Sequence, residues 1–144
     1  MADVKIVSPE ETAQLLEQGY TYVDVRSEPE FEAGHVPGAW NVPLNQQGPG
    51  GMVPNPDFLS VMEALFPKDA KLIIGCKTGA RSAKASATLK NAGFEVLCDM
   101  TAGFDGKRDP FGRLTPGWNA DQRPVERGTG TGQDYASLKA RVQK

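Results

Sequence analysis

The sequence predicts an α/β fold, a mostly parallel sheet with helices on both faces. Three features carry the prediction. Short aliphatic or β-branched runs alternate with amphipathic segments, as they do when each strand is followed by a covering helix. Helix-start chemistry recurs where such helices should begin, as in Ser8-Pro9-Glu10-Glu11. The clearest strand, Lys71-Leu72-Ile73-Ile74-Gly75, leads within a few residues into the clearest helix, Arg81 to Ala92.

The elements follow in order. Val4 to Val7 reads as a short strand. In the next segment Ser8 can cap, Pro9 suits the first helical position, Glu11 completes a capping box, and Gly19 ends the helix. Tyr20 to Val25 reads as a buried strand closed by the charged residues Asp24 and Arg26. Ser27-Glu28-Pro29-Glu30 starts a short helical turn through Phe31 to Ala33, and Gly34-His35-Val36-Pro37-Gly38 is a tight connection. Ala39 to Leu44 is a further strand, and 45–56, rich in Gly, Pro and Asn, reads as an exposed loop. Asp57 to Phe66 has Phe58, Val61, Met62 and Leu65 on one helical face. Ala83, Ala85 and Ala87 let the Arg81–Ala92 helix lie close to a sheet, and Phe94 to Cys98 is the next strand.

Beyond Thr101, repeated Gly and Pro break up any long element. The expected organisation is one domain over residues 1–127 and a C-terminal tail over 128–144. That tail reads as a Gly-rich linker followed by a short helix, Tyr135 to Val142.

Composition narrows the function. A chain of 144 residues, 39% hydrophobic and 24% charged, is the size and make-up of one globular domain. A net charge of −2 disfavours nucleic acid or an anionic membrane as the main partner, although a local basic pocket is compatible with it. The start shows no signal-like or transit-like pattern and no stretch is long enough to span a membrane, so a cytoplasmic location is expected. Two cysteines, Cys76 and Cys98, are too few for a disulfide scaffold, and with His35 the only histidine no metal site is expected.

Cys76 stands at the carboxyl end of the Lys71–Gly75 strand, where open α/β sheets bind ligands. The loop Cys76-Lys77-Thr78-Gly79-Ala80-Arg81 can curl its amides towards one centre, because Gly79 relieves backbone strain and the following helix leaves its first N–H groups unpaired. Such a cup favours an anion, and Lys77 and Arg81 add two cationic side chains, so Cys76 is expected to react as a thiolate. Four residues, Lys77 to Ala80, separate Cys76 from Arg81. Cysteine phosphatases generally space the pair one residue wider, and the tighter cradle suits the terminal sulfur of a persulfide better than a phosphoryl group. Cys98, inside Val96-Leu97-Cys98, reads as a packed core residue, with a role as partner thiol to Cys76 as the lesser alternative.

Cys76-Lys77-Thr78-Gly79-Ala80-Arg81-Ser82 resembles the active-site loop of the rhodanese family. Val23-Asp24-Val25-Arg26, and then Glu30-Phe31-Glu32-Ala33-Gly34-His35-Val36-Pro37-Gly38-Ala39, resemble its other recurrent motif, and Ala102-Gly103-Phe104 with Pro116-Gly117-Trp118 resemble its closing part. The resemblance implies a five-stranded, mostly parallel sheet, Cys76 as catalytic nucleophile, and Lys77, Thr78, Gly79, Ala80 and Arg81 as the substrate-binding loop. It also implies Asp24, Arg26 and Glu30 as structural support, with Glu30 a candidate partner of the Asp24/Arg26 motif, and His35 in a structural turn. Trp118 is left open between pocket rim and core. The implied activity is thiosulfate sulfurtransferase, with sulfane sulfur carried on Cys76 as a persulfide to glutathione, another thiol or cyanide, and with no cofactor. Two readings stay beside it. One is a sulfur-relay module serving a partner protein, for which the 46–56 loop and the tail offer docking surfaces. The other is a cysteine phosphatase or arsenate reductase on the same fold.

Overall fold

Parallel strands cannot be joined by a tight turn, so each link between them must carry the chain back along the sheet. The computed structural model, which describes residues 4–48, 50–77, 79–108, 110–121, 123–128 and 132–142, makes most of these links with helices. The order is β1 (Lys5–Ile6), α1 (Pro9–Glu17), β2 (Thr21–Asp24), α2 (Glu28–Ala33), β3 (Trp40–Asn41), β4 (Asn45–Gly48), β5 (Gly51–Pro54) and α3 (Phe58–Leu65). There follow β6 (Lys71–Gly75), α4 (Ala80–Asn91), β7 (Val96–Met100), β8 (Lys107–Arg108), β9 (Leu114–Thr115), a 3-10 turn at Trp118–Asp121 and α5 (Tyr135–Val142). Five strands form one sheet in the order β1-β7-β6-β2-β3, every pair parallel, which is the predicted fold class.

Strand alternation sorts the core onto two faces. Val23, Leu72, Ile74 and Leu97 point to the face covered by α3, α4 and α5. Tyr22, Ile73 and Cys98 point to the opposite face, where Phe31 of α2 and the apolar side of α1 pack. The α1 start is built as expected: the Ser8 hydroxyl accepts from the Glu11 N–H, and the Glu11 carboxylate accepts from the Ser8 N–H, both at 3.0 Å.

Two segments differ from expectation. Residues 45–54 are not a bare loop but an antiparallel hairpin, β4 with β5. Gly51, at φ +123, takes a backbone conformation there that other residues rarely adopt, and Asn55 closes the base through Nδ2 to the Pro43 carbonyl at 2.9 Å. The expected C-terminal helix is present, but it belongs to the core. Tyr135 and Leu138 are buried against the α3 side, Asn55 Nδ2 donates to the Tyr135 hydroxyl at 3.1 Å, and the Asn41 amide donates to the Gln133 carbonyl at 2.9 Å. The centre of the expected Gly-rich linker lies outside the described residues.

A buried leucine is worth several kcal/mol, so Leu138→Ala is expected to cost about 2–4 kcal/mol in urea unfolding. An unchanged midpoint would contradict the packing of α5.

Candidate active site

The parallel sheet brings the loops that follow β2, β3, β6 and β7 to one edge, and the candidate site is built there. Cys76 is the first residue beyond β6 and is buried. The Gly79 amide donates to its Sγ at 3.1 Å. The backbone fold that aims this amide inward depends on glycine: Gly79 has φ +105, and a Cβ there would collide with the Thr101 carbonyl. Ala80 begins α4, and the Ser82 hydroxyl donates to the Gly79 carbonyl at 3.1 Å. Thr78, expected in the substrate-binding loop, lies outside the described residues.

A second loop clasps the first. The amides of Phe104 and Asp105 donate to the carbonyls of Cys76 and Lys77, at 2.7 and 3.0 Å. This approach needs Gly103, at φ +74, since a Cβ there would strike the Lys77 carbonyl. Trp118 fixes the far end of that loop. Its amide donates to the Gly103 carbonyl at 3.0 Å, its indole N–H donates to the Pro124 carbonyl at 2.8 Å, and its ring is buried in the core. It is a core residue rather than a pocket rim.

Of the expected support residues, Asp24 and Arg26 pair with each other. Arg26 Nη2 lies 2.7 Å from Asp24 Oδ2 and 2.6 Å from the Gly34 carbonyl, and its guanidinium sits 4.5 Å above the Phe104 ring. Burial works against the Arg26 charge, but the bonds with Asp24 outweigh it and the group is held charged. Asn41 Nδ2 donates to the carbonyls of both residues at 3.0 Å.

Glu30 does not brace this pair by hydrogen bonds. Its carboxylate receives Arg81 Nη1 at 2.7 Å and Nη2 at 3.1 Å, and it also accepts from the Ser27 amide and hydroxyl. Burial would raise its pKa, but the bonds from Arg81 and Ser27 prevail and bring it down to about 2. Arg81 in turn is pushed upward by the hydrogen bonds to Glu30.

The electrostatics therefore differ from a basic pocket. Arg26 has Asp24, Arg81 has Glu30, and the half-exposed Lys77 has Asp105 at 3.9 Å. The cause is burial, because a guanidinium in a partly dry cleft must be paired. Arg26, Glu30, Lys77 and Asp105 line a cleft of about 220 Å³ together with Ala33, Gly34 and Phe104. A larger cavity, of about 460 Å³, lies between the start of α2 and the β4–β5 hairpin; it contains no thiol, and the hydroxyl of Ser27 on its wall is bonded to Glu30.

Cys98 cannot serve Cys76 as a partner thiol across the sheet, since the two side chains pack in cores on opposite faces. Burial raises its pKa, as expected for a packed thiol. His35 is also structural. Nδ1 donates to the Phe31 carbonyl at 2.7 Å, Nε2 lies 3.1 Å from Glu126, and the ring stacks on Phe31 at 3.7 Å. Sequence reasoning did not find the roles of Glu30 as partner of Arg81, or of the 103–105 clasp. Gly103 of Ala102-Gly103-Phe104 was a local signal for the latter.

A cysteine loop at the carboxyl edge of a parallel sheet, clasped by a Gly-containing turn and closed by an arginine, defines the class. The chain belongs to the rhodanese-like domain family, whose model matches residues 8–108. It is 43% identical over 90 residues to thiosulfate sulfurtransferase 16, chloroplastic, of Arabidopsis thaliana, covering 62% of this chain and 75% of that one. It is 37% identical over 113 residues to rhodanese-like domain-containing protein 15, chloroplastic, of the same plant, covering 78% of this chain but only 56% of that one. The crystal structure of Rv0390 from M. tuberculosis superposes with a TM-score of 0.70 at 24% identity, over 88% of this chain and 100% of that one, which supports the fold. With chloroplastic relatives in the family, membership does not fix a cytoplasmic location; among the described residues no helix is long and apolar enough to cross a membrane.

A carboxylate held at about 2, against an ordinary 4.5, stabilises the fold fully above pH 4.5, and that contribution is lost as pH falls towards 2. Both partners are partly solvent-exposed, so the pair is worth about 1 kcal/mol after screening. Glu30→Gln is expected to unfold at a lower urea midpoint than the parent at pH 6, with the gap closing as pH approaches 2.5. A gap independent of pH would contradict the ion pair.

Proposed function

We propose that this domain is a thiosulfate sulfurtransferase working by double displacement. The observation that carries the reading is the Gly79 amide aimed at Cys76 Sγ inside a loop that ends in Arg81. The Cys76 thiolate attacks the outer sulfur of thiosulfate; the S–S bond of the donor breaks and its electron pair leaves with sulfite. The terminal sulfur of the resulting Cys76 persulfide sits within the loop, where the Gly79 amide points at the sulfur of Cys76. Cyanide or a thiolate then attacks that sulfur, and the electron pair of the breaking bond returns to Cys76. Lys77 and Arg81 are the donor-binding cations, and the acceptor is a small thiol, glutathione among them, cyanide or a protein thiol. The relatives named thiosulfate sulfurtransferase support this choice of donor.

The Glu30–Arg81 pair adds a condition. Thiosulfate must replace Glu30 on the Arg81 guanidinium, so Glu30 competes with the donor. Gln at 30 keeps one oxygen to accept from Ser27, but it removes the charge and puts an NH2 donor where the second carboxylate oxygen accepts from Arg81 Nη2.

Cys76→Ser is expected to abolish thiocyanate formation from thiosulfate and cyanide, and residual turnover above a few per cent would refute the nucleophile. In the same assay Glu30→Gln is expected to lower KM for thiosulfate about threefold with kcat nearly unchanged. A raised KM would instead make Glu30 a positioning residue for Arg81.

A further inference from the structure

The segment from Lys107 to Pro116 buries nothing: every described residue in it is exposed, with Phe111 at 83% and Leu114 at 51%. It is nonetheless ordered as the β8–β9 hairpin, paired Lys107 with Thr115 and Arg108 with Leu114. It grows directly from the turn whose Phe104 and Asp105 amides clasp the catalytic loop, and the buried Trp118 anchors its other end. A hairpin held this firmly beside the Cys76 loop, and contributing nothing to the core, has its use on the outside. The family match ends at residue 108, so most of the hairpin lies beyond the part of the fold that the family model describes.

Its chemistry is one-sided. Lys107, Arg108 and Arg113 stand against a single carboxylate in its sequence, Asp109, on a chain whose net charge is −2. Arg108 donates to the neutral Gly112 carbonyl at 2.8 Å. At the base of the hairpin lies a cavity of about 270 Å³ lined by Thr101, Ala102, Lys107, Arg108 and Thr115. Among the described residues two cations, two hydroxyl side chains and no carboxylate line it, which suits a carboxylate ligand; the nearby Asp99, which interacts with Lys107, is buried. In the catalytic cleft each cation faces a carboxylate that is paired with it, whereas at the base of the hairpin, among the described residues, the carboxylate near Lys107 is the buried Asp99. Thr101 belongs to both regions, because its carbonyl lies against Gly79.

We propose that the β8–β9 hairpin is a docking surface for an acidic polypeptide segment that carries the acceptor thiol, with its carboxylates on Lys107 and Arg108 and an apolar side chain on Phe111. The proposal rests on the sulfurtransferase reading and names the acceptor. A polypeptide is favoured over a nucleic acid or a lipid surface because the acceptor must supply a thiol beside Cys76. The acceptor thiolate attacks the terminal persulfide sulfur, the S–S bond to Cys76 breaks, the electron pair returns to the Cys76 thiolate, and the acceptor leaves as a persulfide.

The probes are two synthetic peptides with one cysteine each, flanked by glutamates in one and by lysines in the other. They are used with the full chain and with the double variant Lys107→Glu/Arg108→Glu. Persulfide transfer to the acidic peptide is expected to fall about tenfold in kcat/KM in the double variant and to decline with added salt, while turnover with cyanide stays unchanged and reports an intact fold. Equal transfer to both peptides by the parent, or an undiminished rate in the variant, would overturn the proposal. If the variant loses cyanide turnover, Phe111→Ala replaces it, with the same expected drop for the acidic peptide alone. Anisotropy of a fluorescein-labelled acidic peptide without cysteine separates docking from chemistry. Binding to the parent but not to the variant upholds docking even where thiosulfate fails to load Cys76. Tighter binding of oligouridylate, or of vesicles containing phosphatidylserine, at the same residues would reassign the surface and overturn the proposal.

Discussion

The backbone clasp between the 103–105 turn and the Cys76 loop carries the rest of the site. The carbonyls of Cys76 and Lys77 are turned outward and held by the amides of Phe104 and Asp105, at 2.7 and 3.0 Å. With those carbonyls engaged, the following amide of Gly79 is free to turn inward to Sγ. Neither arrangement survives a side chain at Gly79 or Gly103, where a Cβ would strike a facing carbonyl. The sheet provides the edge on which the loops meet, but the clasp gives Cys76 its surroundings. It also fixes the root of the β8–β9 hairpin, so the same backbone bonds position Cys76, the proposed nucleophile, and the surface proposed to present the acceptor.

Charge in the cleft is organised by pairing. Asp24 and Arg26 are buried together, and each would be costly alone, so they act as a brace between β2, the Gly34 carbonyl and the Phe104 ring. Glu30 and Arg81 are only partly buried, and in the proposed reaction their pair gives way to the incoming dianion. This difference separates support from function better than the identity of the residues does. It also explains why a site read as basic from Lys77 and Arg81 is compensated at rest.

Much of this was legible from the chain. The Ser8 capping box, the aliphatic run 71–75 and the Ala-rich helix after it obey local rules, and their placement follows from periodicity and cap chemistry. Cys76 and the glycine of its loop were legible because a strand end, a short turn and a helix start leave little choice of geometry. The partner of Glu30 was not legible, because Arg26 lies four residues away and Arg81 lies 51, and only the parallel register of β2 with β6 brings the distant one closer. The packing of α5 was hidden for the same reason: Tyr135 and Leu138 look like an ordinary amphipathic pattern, and their use depends on a groove made by α3 and β3. The 45–54 hairpin was masked by its Gly, Pro and Asn content, which suits a turn as well as a loop.

The central claim is that Cys76 accepts sulfur from an anionic donor within this clasped loop. Intact mass of the protein after exposure to thiosulfate tests it most directly. The account predicts a gain of one sulfur atom, reversed by cyanide, absent in Cys76→Ser and retained in Cys98→Ser. A mass unchanged by thiosulfate, or a sulfur gained on Cys98 instead, would contradict it.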